Sequence, residues 1–194
     1  ASAAVLDNPE TARKLREKKH NIILAENSTA ALGKIASAWR DRINAKVIAV
    51  TGSAGKTTTR EMLKTILSQY RKTSGAEKSF NNQIGLPISI LNAEKDDEFL
   101  VLEAGTNAVG EIEKLSRIAR PDTAIITCVL PAHIEGFGSL ENIAREKASI
   151  IEGLKPNGML ICKSQKELID ALRGDAANIQ FFSLNNRLVG REND

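Results

Sequence analysis

The chain has 194 residues, of which 42% are hydrophobic and 26% are charged, and its formal net charge is +3. This length and balance fit one globular domain, or one domain with part of another, and not a disordered chain. The small net charge and the 4% aromatic content argue against nucleic acid as a partner.

The compartment is indicated by the cysteines and by the lack of targeting signals. Cys128 and Cys162 lie far apart in apolar runs, with no C-x-x-C pair, as free thiols of a reducing compartment do. No apolar run reaches membrane-spanning length, and the N-terminus has no signal-peptide pattern. We therefore expect a cytoplasmic protein that does not insert into membranes, and we expect a monomer.

The first 45 residues contain two predicted helices and a short strand. The segment 1–26 is predicted to be a charged helical stretch, with a short apolar strand near its end at 22–24. Ser28 is the predicted N-cap of a second helix, which runs to about Ile43. Its apolar face, by 3.6-residue periodicity, comprises Leu32, Ile35, Trp39 and Ile43.

From Val47 onward, strands and helices alternate. The predicted strands are 47–50, 99–102, 124–130, 159–162 and 179–182. The predicted helices are 56–70, 111–119, 140–154 and 166–172. The apolar face of the first of these helices would carry Met62, Leu63, Ile66, Leu67 and Tyr70. This alternation predicts an α/β fold with a mainly parallel sheet flanked by helices.

A glycine-rich segment lies between the first of these strands and the helix that follows. The predicted cofactor-binding residues are Gly52, Ser53, Ala54, Gly55, Lys56, Thr57 and Thr58. Between a strand and a helix, glycines let the backbone aim its N–H groups at a phosphate, and the helix N-terminus favours an anion. Lys56 would reach the outer phosphates of ATP, and the Thr57 hydroxyl would bind Mg²⁺. The alternative is an ordinary glycine turn.

Glu103 supports the phosphate loop. It ends the apolar run 99–102, and ligands of open α/β sheets collect at the carboxyl ends of the strands. An acid there helps to hold Mg²⁺ in phosphate-loop enzymes, although a solvated glutamate is the alternative. The loop alone fits a kinase, a GTPase or a ligase. The guanine-specific strings N-K-x-D and D-x-x-G are absent from the sequence, so GTP is not expected.

Five motifs in order carry a family resemblance. They are T-G-S-A-G-K-T-T-T at 51–59, N-N-Q-I-G-L-P at 81–87, E-A-G-T-N-A-V-G-E-I at 103–112, A-H-I-E-G-F-G-S at 132–139 and I-A-R-E-K at 143–147. Together they resemble the Mur ligase family, and most of all its branch that adds D-alanyl-D-alanine to a peptidoglycan precursor. The resemblance implies the phosphate-loop type of central ATP-binding domain found in that family.

The resemblance implies roles for further residues. Lys56, His133 and Lys147 are the expected catalytic residues, and Thr57, Glu103, His133 and Lys147 are the expected ligands of Mg²⁺ ions. Lys147 would be carbamylated, which turns its positive charge into a negative one. Apart from the resemblance, His133 would be a structural or capping histidine and Lys147 a solvated lysine on a helix face.

The resemblance also places Asn81 and Asn82 near the substrate, whereas the residues alone fit a simple Asx turn. The chain departs from the family at Ala108, at Thr127-Cys128 and at Ala148-Ser149. These departures affect the surroundings of Lys147 and the choice of substrate.

The implied reaction is the ATP- and Mg²⁺-dependent synthesis of an amide. The substrates would be a nucleotide-sugar peptide and a D-amino-acid dipeptide, joined through an acyl phosphate. Residues 1–45 would be the tail of an N-terminal substrate domain with its linker helix, and residues 46–194 the central ATP-binding domain. A C-terminal domain is expected to be absent, so the chain by itself would not catalyse the full reaction.

Three other functions remain open at this point. One is a different ligase of the superfamily, either another Mur enzyme or a folylpolyglutamate synthetase. The second is a non-catalytic relative that binds nucleotide, against which the presence of Lys56, Glu103 and His133 argues. The third is a small phosphate-loop kinase.

Overall fold

The computed structural model describes residues 3–76, 79–132, 134–175, 178–183 and 188–189. The strands are β1 Ala4–Leu6, β2 Ile22–Leu24, β3 Lys46–Thr51, β4 Thr73–Gly75, β5 Phe99–Glu103, β6 Thr123–Ile126, β7 Met159–Lys163, β8 Asn178–Phe182 and β9 Leu188–Val189. The helices are α1 Pro9–Glu17, α2 Ser28–Arg40, α3 Lys56–Ser68, α4 Gly85–Leu91, α5 Glu111–Ala119, α6 Ile134–Phe137, α7 Leu140–Ala148 and α8 Lys166–Ala171. A 3₁₀ helix, Ser149–Gly153, follows α7.

Within the described ranges, the main sheet has the strand order β4-β5-β3-β6-β7-β8-β9, and β1 pairs with β2 in a separate two-stranded sheet. All neighbours in the main sheet are parallel except β8 and β9. The predicted parallel α/β architecture is confirmed. Because β3 lies between β5 and β6, its carboxyl end meets both neighbours, and Val50 is in register with Glu103.

One continuous apolar core joins the sheet to α2, α4, α5, α7 and α8. Leu100 and Leu102 of β5 are fully buried in it, as are Ile112 and Leu115 of α5. The strands form here because their apolar runs are covered by helices, as a parallel sheet requires. None of the helices in the described ranges is long and apolar enough to cross a bilayer.

The start and the buried face of α2 differ from prediction. Asn27, and not Ser28, is the N-cap, because its side chain accepts a hydrogen bond from the Ala30 amide. Ile35 is 46% exposed, and the buried positions are instead Gly33, Ala36 and Arg40. Small residues bring the helix close to its neighbours, whereas Trp39 and Ile43 of the predicted face do pack in or against the core, so the periodicity of large apolar side chains located the buried face only in part.

The predicted apolar face of α3 is also wrong in part, since only Leu63 and Leu67 of its five residues are half-buried. Met62, Ile66 and Tyr70 are 59%, 56% and 78% exposed, whereas Arg60 is buried. The helix is rotated so that Arg60 faces the end of β5, where it pairs with Glu103. A buried ion pair has therefore overridden the hydrophobic pattern.

Several boundaries differ too. The strand predicted at 124–130 ends at Ile126, because the next residues turn against the phosphate loop. The helix predicted at 140–154 is α7 followed by the 3₁₀ helix. The short elements β1, β4, α4, α6 and β9 were not predicted, since two to seven residues carry little periodicity.

A buried charge pair fixes α2 to the sheet at the end opposite the phosphate loop. Arg40 is 4% exposed, and its Nη2 donates to Asp122 Oδ2 at 3.1 Å. Asp122 also accepts from the Val47 amide at 2.9 Å and from Lys155 at 3.2 Å. Burial alone would raise the pKa of Asp122, but the bonds from Val47 and Lys155 outweigh it and hold the pKa below its ordinary value.

We predict that Asp122→Ala lowers the free energy of unfolding at pH 7 by about 3 kcal/mol, because it leaves Arg40 buried and unpaired. Urea denaturation checks this, with the exposed Asp170→Ala as the control that stays within about 0.5 kcal/mol of wild type. Since folding lowers the pKa of Asp122, its contribution is present above about pH 4 and is lost as the pH falls through the folded value. An Asp122→Ala chain as stable as the control would contradict this prediction.

Candidate functional site

The segment 52–55 forms a loop between β3 and α3 in a shape that requires glycine. Gly52 has a φ of +144°, and a Cβ atom there would lie 1.9 Å from Thr127 Oγ1. Gly55 has a φ of +76° and precedes α3 without any side-chain cap. The first amides of α3 therefore lack a capping side chain, and such amides bind anions.

The chain that follows β6 forms a wall against this loop. The Ser53 amide donates to the Cys128 carbonyl at 2.8 Å, and Thr127 Oγ1 donates to the Ala54 carbonyl at 2.5 Å. Gln165, the residue before α8, fixes this wall, since its side chain accepts from the N–H and donates to the C=O of Val129, at 2.9 and 3.0 Å. The loop is thus held before any ligand arrives.

Lys56 and Thr58 begin α3. The Lys56 ammonium donates to the Gly52 carbonyl at 2.8 Å, so it lies across the mouth of the loop. Ala54, Gly55, Thr57 and Thr58 are exposed, and a ligand has access to them. The predicted cofactor-binding residues are therefore contiguous and open to solvent on one side.

Glu103 lies beside the loop, as the sequence predicted. Its carboxylate is 1% exposed. Thr57 Oγ1 donates to Oε2 at 2.9 Å, and Asn81 Nδ2 donates to Oε1 at 2.8 Å. Arg60 Nη1 lies 3.4 Å from Oε2. The alternative of a solvated glutamate is wrong.

The donor set fits Mg²⁺ only in part. The hydroxyl of Thr57 and the carboxylate of Glu103 are the hard oxygen donors that Mg²⁺ prefers. Among the described residues, no group of three or more His, Cys, Asp or Glu side chains is arranged to hold a metal. Phosphate oxygens would have to supply further ligands, as they do in many Mg²⁺-nucleotide sites. His133 lies outside the described residues.

Lys147 is on α7 and is only 6% exposed, so the alternative of a solvated lysine is wrong. Burial, and after it the positive charge of Lys56, lowers the pKa of Lys147 to about 8. The positive charge of Lys56 on α3 therefore acts on Lys147 of α7.

Asn81 and Asn82 have different partners. Besides the bond from its side chain to Glu103, Asn81 accepts through its backbone carbonyl from the Gly105 amide at 2.7 Å. Asn82 Oδ1 accepts from the amides of Ile84 and Gly85 at 3.1 and 2.9 Å, which makes it an Asx turn at the start of α4. Both residues line a polar cavity of about 430 Å³. The other residues of its lining are Thr29, Gln83, Ile84, Gly105, Thr106, Asn107 and Glu111.

Sequence reasoning missed three charged residues that shape the site, namely Arg60, Glu111 and Glu146. Glu111 accepts from the Asn107 amide at 2.8 Å, and this bond holds the pKa of Glu111 below its ordinary value. Glu146 is 4% exposed and accepts from the Gly110 and Ile112 amides at 2.6 and 2.9 Å, which caps α5. The G-E-I motif included Glu111 and the I-A-R-E-K motif included Glu146, but neither was assigned a role, and no sequence signal marks Arg60.

Comparison with known proteins agrees with this geometry. The family model of the Mur ligase middle domain matches residues 50–192. Over 155 residues the chain is 44% identical to the UDP-N-acetylmuramoyl-tripeptide–D-alanyl-D-alanine ligase of Bacillus subtilis (strain 168). The matched segment covers 78% of this chain and 33% of that protein. It is 37% identical over 139 residues to the ligase of the same name from Escherichia coli (strain K12), with 72% of this chain and 31% of that protein covered.

A solved structure of a similarly named ligase also resembles the chain. The MurF ligase from Thermotoga maritima in complex with ADP superposes with a TM-score of 0.84 at 32% identity, over 97% of this chain and 42% of that one. The chain spans about a third of the length of the curated relatives that it matches.

We predict that Gly52→Ala weakens the binding of Mg·ADP roughly tenfold or more, because the new methyl group collides with Thr127 and the positive φ is strained. Calorimetric titration measures the affinity. Gly174→Ala is the matched control, since its φ is +91° but nothing lies within 4 Å of the added atom. Equal affinities for Gly52→Ala and the control would contradict the steric role of Gly52.

We predict that the two thiols react differently. Cys162 is fully buried, and burial raises its pKa to about 12, whereas Cys128 is partly exposed beside the phosphate loop. A chromogenic disulfide reagent at pH 8 should therefore label Cys128 quickly in the folded chain and Cys162 only after urea unfolding. Equally fast labelling of both thiols in the folded chain would refute this assignment.

Proposed function

The chain belongs to the Mur ligase family, and on that premise we propose that it is the ATP-binding part of a ligase that joins D-alanyl-D-alanine to UDP-N-acetylmuramoyl-tripeptide. The observation that carries the proposal is the bond from Thr57 to the buried Glu103 beside an open phosphate loop. The names of the relatives at 44% and 37% identity support these substrates over others. We place this step of peptidoglycan synthesis in the cytoplasm, on a monomer.

The proposed chemistry explains why so few reactive side chains are needed. Formation of an amide from a carboxylate is uphill in water, and ATP overcomes this by converting the carboxylate into an acyl phosphate. The amine of the dipeptide then attacks, and phosphate leaves. The protein has to position the reactants and to balance the charge that develops on the transferred phosphoryl group.

Lys56 and the start of α3 would bind the phosphates. The ammonium of Lys56 now donates to a neutral carbonyl, Gly52, at 2.8 Å. A charge-assisted bond to a phosphate oxygen is stronger, so we expect Lys56 to exchange Gly52 for the nucleotide. Mg²⁺ would supply charge neutralisation of the phosphates. Thr57 and Glu103 are the residues that would hold it.

Lys147 and His133 are the proposed ligands for a second Mg²⁺. The lowered pKa of Lys147, about 8, leaves more of its amine neutral near neutral pH than an ordinary lysine has, and only the neutral amine reacts with CO₂. The resulting carbamate would replace a repulsion between Lys147 and Lys56 by an attraction. It would also provide oxygen ligands. The role of His133 stays a prediction.

The acceptor peptide would approach Glu103 through the polar cavity of about 430 Å³. Asn81 borders both this cavity and the Glu103 carboxylate, so a substrate carboxyl group there would lie close to the phosphate loop. Apart from Ile84, the side chains of the cavity are amides, hydroxyls and one carboxylate, which suit a peptide backbone better than an apolar ligand.

The test measures phosphate release from ATP by the longest form of the chain that its gene encodes. The mixture contains Mg²⁺, UDP-N-acetylmuramoyl-tripeptide and D-alanyl-D-alanine, and each component is omitted in turn. The proposal requires that release depend on both substrates. Release with folate and glutamate instead would identify a folylpolyglutamate-type ligase. Tight Mg·ADP binding without release in any mixture would identify a non-catalytic relative.

We predict that Lys56→Ala lowers turnover by roughly a thousandfold, because the charge facing the transferred phosphate is lost. The same phosphate-release assay measures this effect. Lys34→Ala, which removes an exposed lysine of α2, should leave turnover unchanged. Activity of Lys56→Ala within a few-fold of wild type would refute the role of the phosphate loop.

A further inference from the structure

The polar cavity of about 430 Å³ is lined mainly by two segments of the chain, 81–84 and 105–107. Glu111, the first residue of α5, also lines the cavity and connects the two segments. Its Oε1 accepts from Gln83 Nε2 at 3.4 Å, and its Oε2 accepts from the backbone of the second segment. This one carboxylate therefore holds both sides of the cavity together.

Glu111 also fixes the shape of the segment 106–110. Its Oε2 accepts from the amide of Asn107 at 2.8 Å and from the amide of the following residue at 3.2 Å. The far end of the segment is fixed separately, by the bond from the Gly110 amide to Glu146. Bonds from amides to an ionised carboxylate are stronger than bonds between neutral groups. Glu111 therefore sets the position of the side chain that this backbone carries, which is Asn107.

Three polar side chains of the lining have unused hydrogen-bonding groups. The side chain of Asn107 is exposed and has no partner among the described residues. Asn82 uses its Oδ1 in the Asx turn, so its Nδ2 has no described partner either. The same holds for the hydroxyl of Thr29, near the start of α2. An amide side chain both donates and accepts, as a peptide bond does. These free groups suit a peptide backbone.

We propose that Glu111 is a positioning residue of the acceptor site, and that it holds Asn107 where the side-chain amide binds the peptide backbone next to the carboxyl group that is phosphorylated. The inference rests on the proposed ligase function. Asn81 lines the same cavity and donates to Glu103, so that end of the cavity adjoins the phosphate loop. Neither Glu111 nor Asn107 belongs to the phosphate loop. Loss of either should therefore weaken binding of the acceptor peptide and not of the nucleotide.

The first test removes the amide that would bind the peptide. Asn107→Ala leaves the loop in place, because Glu111 bonds to the backbone amide at this position. In the phosphate-release assay, with the longest form of the chain that its gene encodes, KM for UDP-N-acetylmuramoyl-tripeptide should rise roughly tenfold. We expect kcat, and the affinity for Mg·ADP measured by calorimetry, to stay within about twofold of wild type.

This test separates failure of the inference from failure of the proposed function. An unchanged KM in Asn107→Ala would overturn the inference but leave the proposed function intact. A wild-type chain that releases no phosphate with both substrates present would overturn the proposed function, and the inference with it.

Three variants of Glu111 separate the reach of its side chain from its charge. Glu111→Ala removes the acceptor, and Glu111→Asp keeps the charge on a side chain that is one methylene shorter. Both should raise KM for the nucleotide-sugar peptide roughly tenfold. Glu111→Gln loses the charge but keeps an oxygen of the same reach, so its KM should stay within about threefold of wild type. The control is Glu113→Ala, which removes an exposed acid from the same turn of α5 and should leave KM unchanged.

The double variant Glu111→Ala with Asn107→Ala tests whether the two residues act together. If Glu111 acts through Asn107, the double variant should raise KM by no more than about twofold beyond the larger single effect. A rise of roughly a hundredfold, the product of the single effects, would show that the residues act independently and would refute the positioning role.

Two further outcomes would contradict the role of Glu111. One is a Glu111→Ala chain with an unchanged KM but weaker Mg·ADP binding, which would show a general loss of structure. The other is a Glu111→Gln chain as impaired as Glu111→Ala beside a Glu111→Asp chain that behaves as wild type, since charge and not reach would then decide. If Glu111→Ala does not fold by circular dichroism, the Glu111→Asp and Glu111→Gln chains decide the question together with Asn107→Ala.

Discussion

The arrangement of the site depends on one buried carboxylate, Glu103. The parallel pairing of β3 with β5 sets Val50 opposite Glu103, so the acid lies where the phosphate loop begins. A buried carboxylate must be paired, because an isolated charge in the interior is strongly unfavourable. Thr57, Asn81 and Arg60 meet this requirement from two different segments of the chain. The loop, the start of α3 and the segment before α4 are thereby held together.

The strands and the phosphate loop could be predicted because local sequence determines them. The run at 99–102 is apolar and ends in an acid, and the glycines at 52 and 55 adopt backbone angles that other residues rarely reach. The buried faces of α2 and α3 could be predicted only in part. Their buried positions include Gly33, Ala36, Arg40 and Arg60, which bury through close approach or ion pairing and not through large apolar side chains.

The residues of the site also divide into those that the sequence could identify and those that it could not. A role for Lys147 was predicted only through the family resemblance, because the local sequence of a short helix does not show whether its lysine is buried or solvated. Arg60 was found by neither approach, and Glu146 lay in the I-A-R-E-K motif without a role. Their partners are the amide of Gly110, 36 residues from Glu146, and a strand-end acid more than 40 residues from Arg60, and such distant pairs leave no local pattern. Short segments such as α4 depend on tertiary contacts for the same reason.

The central claim is that the loop at 52–58, with Thr57 and Glu103, holds a magnesium nucleotide. A crystal structure of the chain with Mg²⁺ and a non-hydrolysable ATP analogue tests it most directly. The account predicts that Lys56 Nζ has left the Gly52 carbonyl for a phosphate oxygen, and that the metal contacts the Thr57 hydroxyl on its Glu103 side. Phosphates bound elsewhere, with Lys56 still on Gly52 and no metal beside Thr57, would contradict the account.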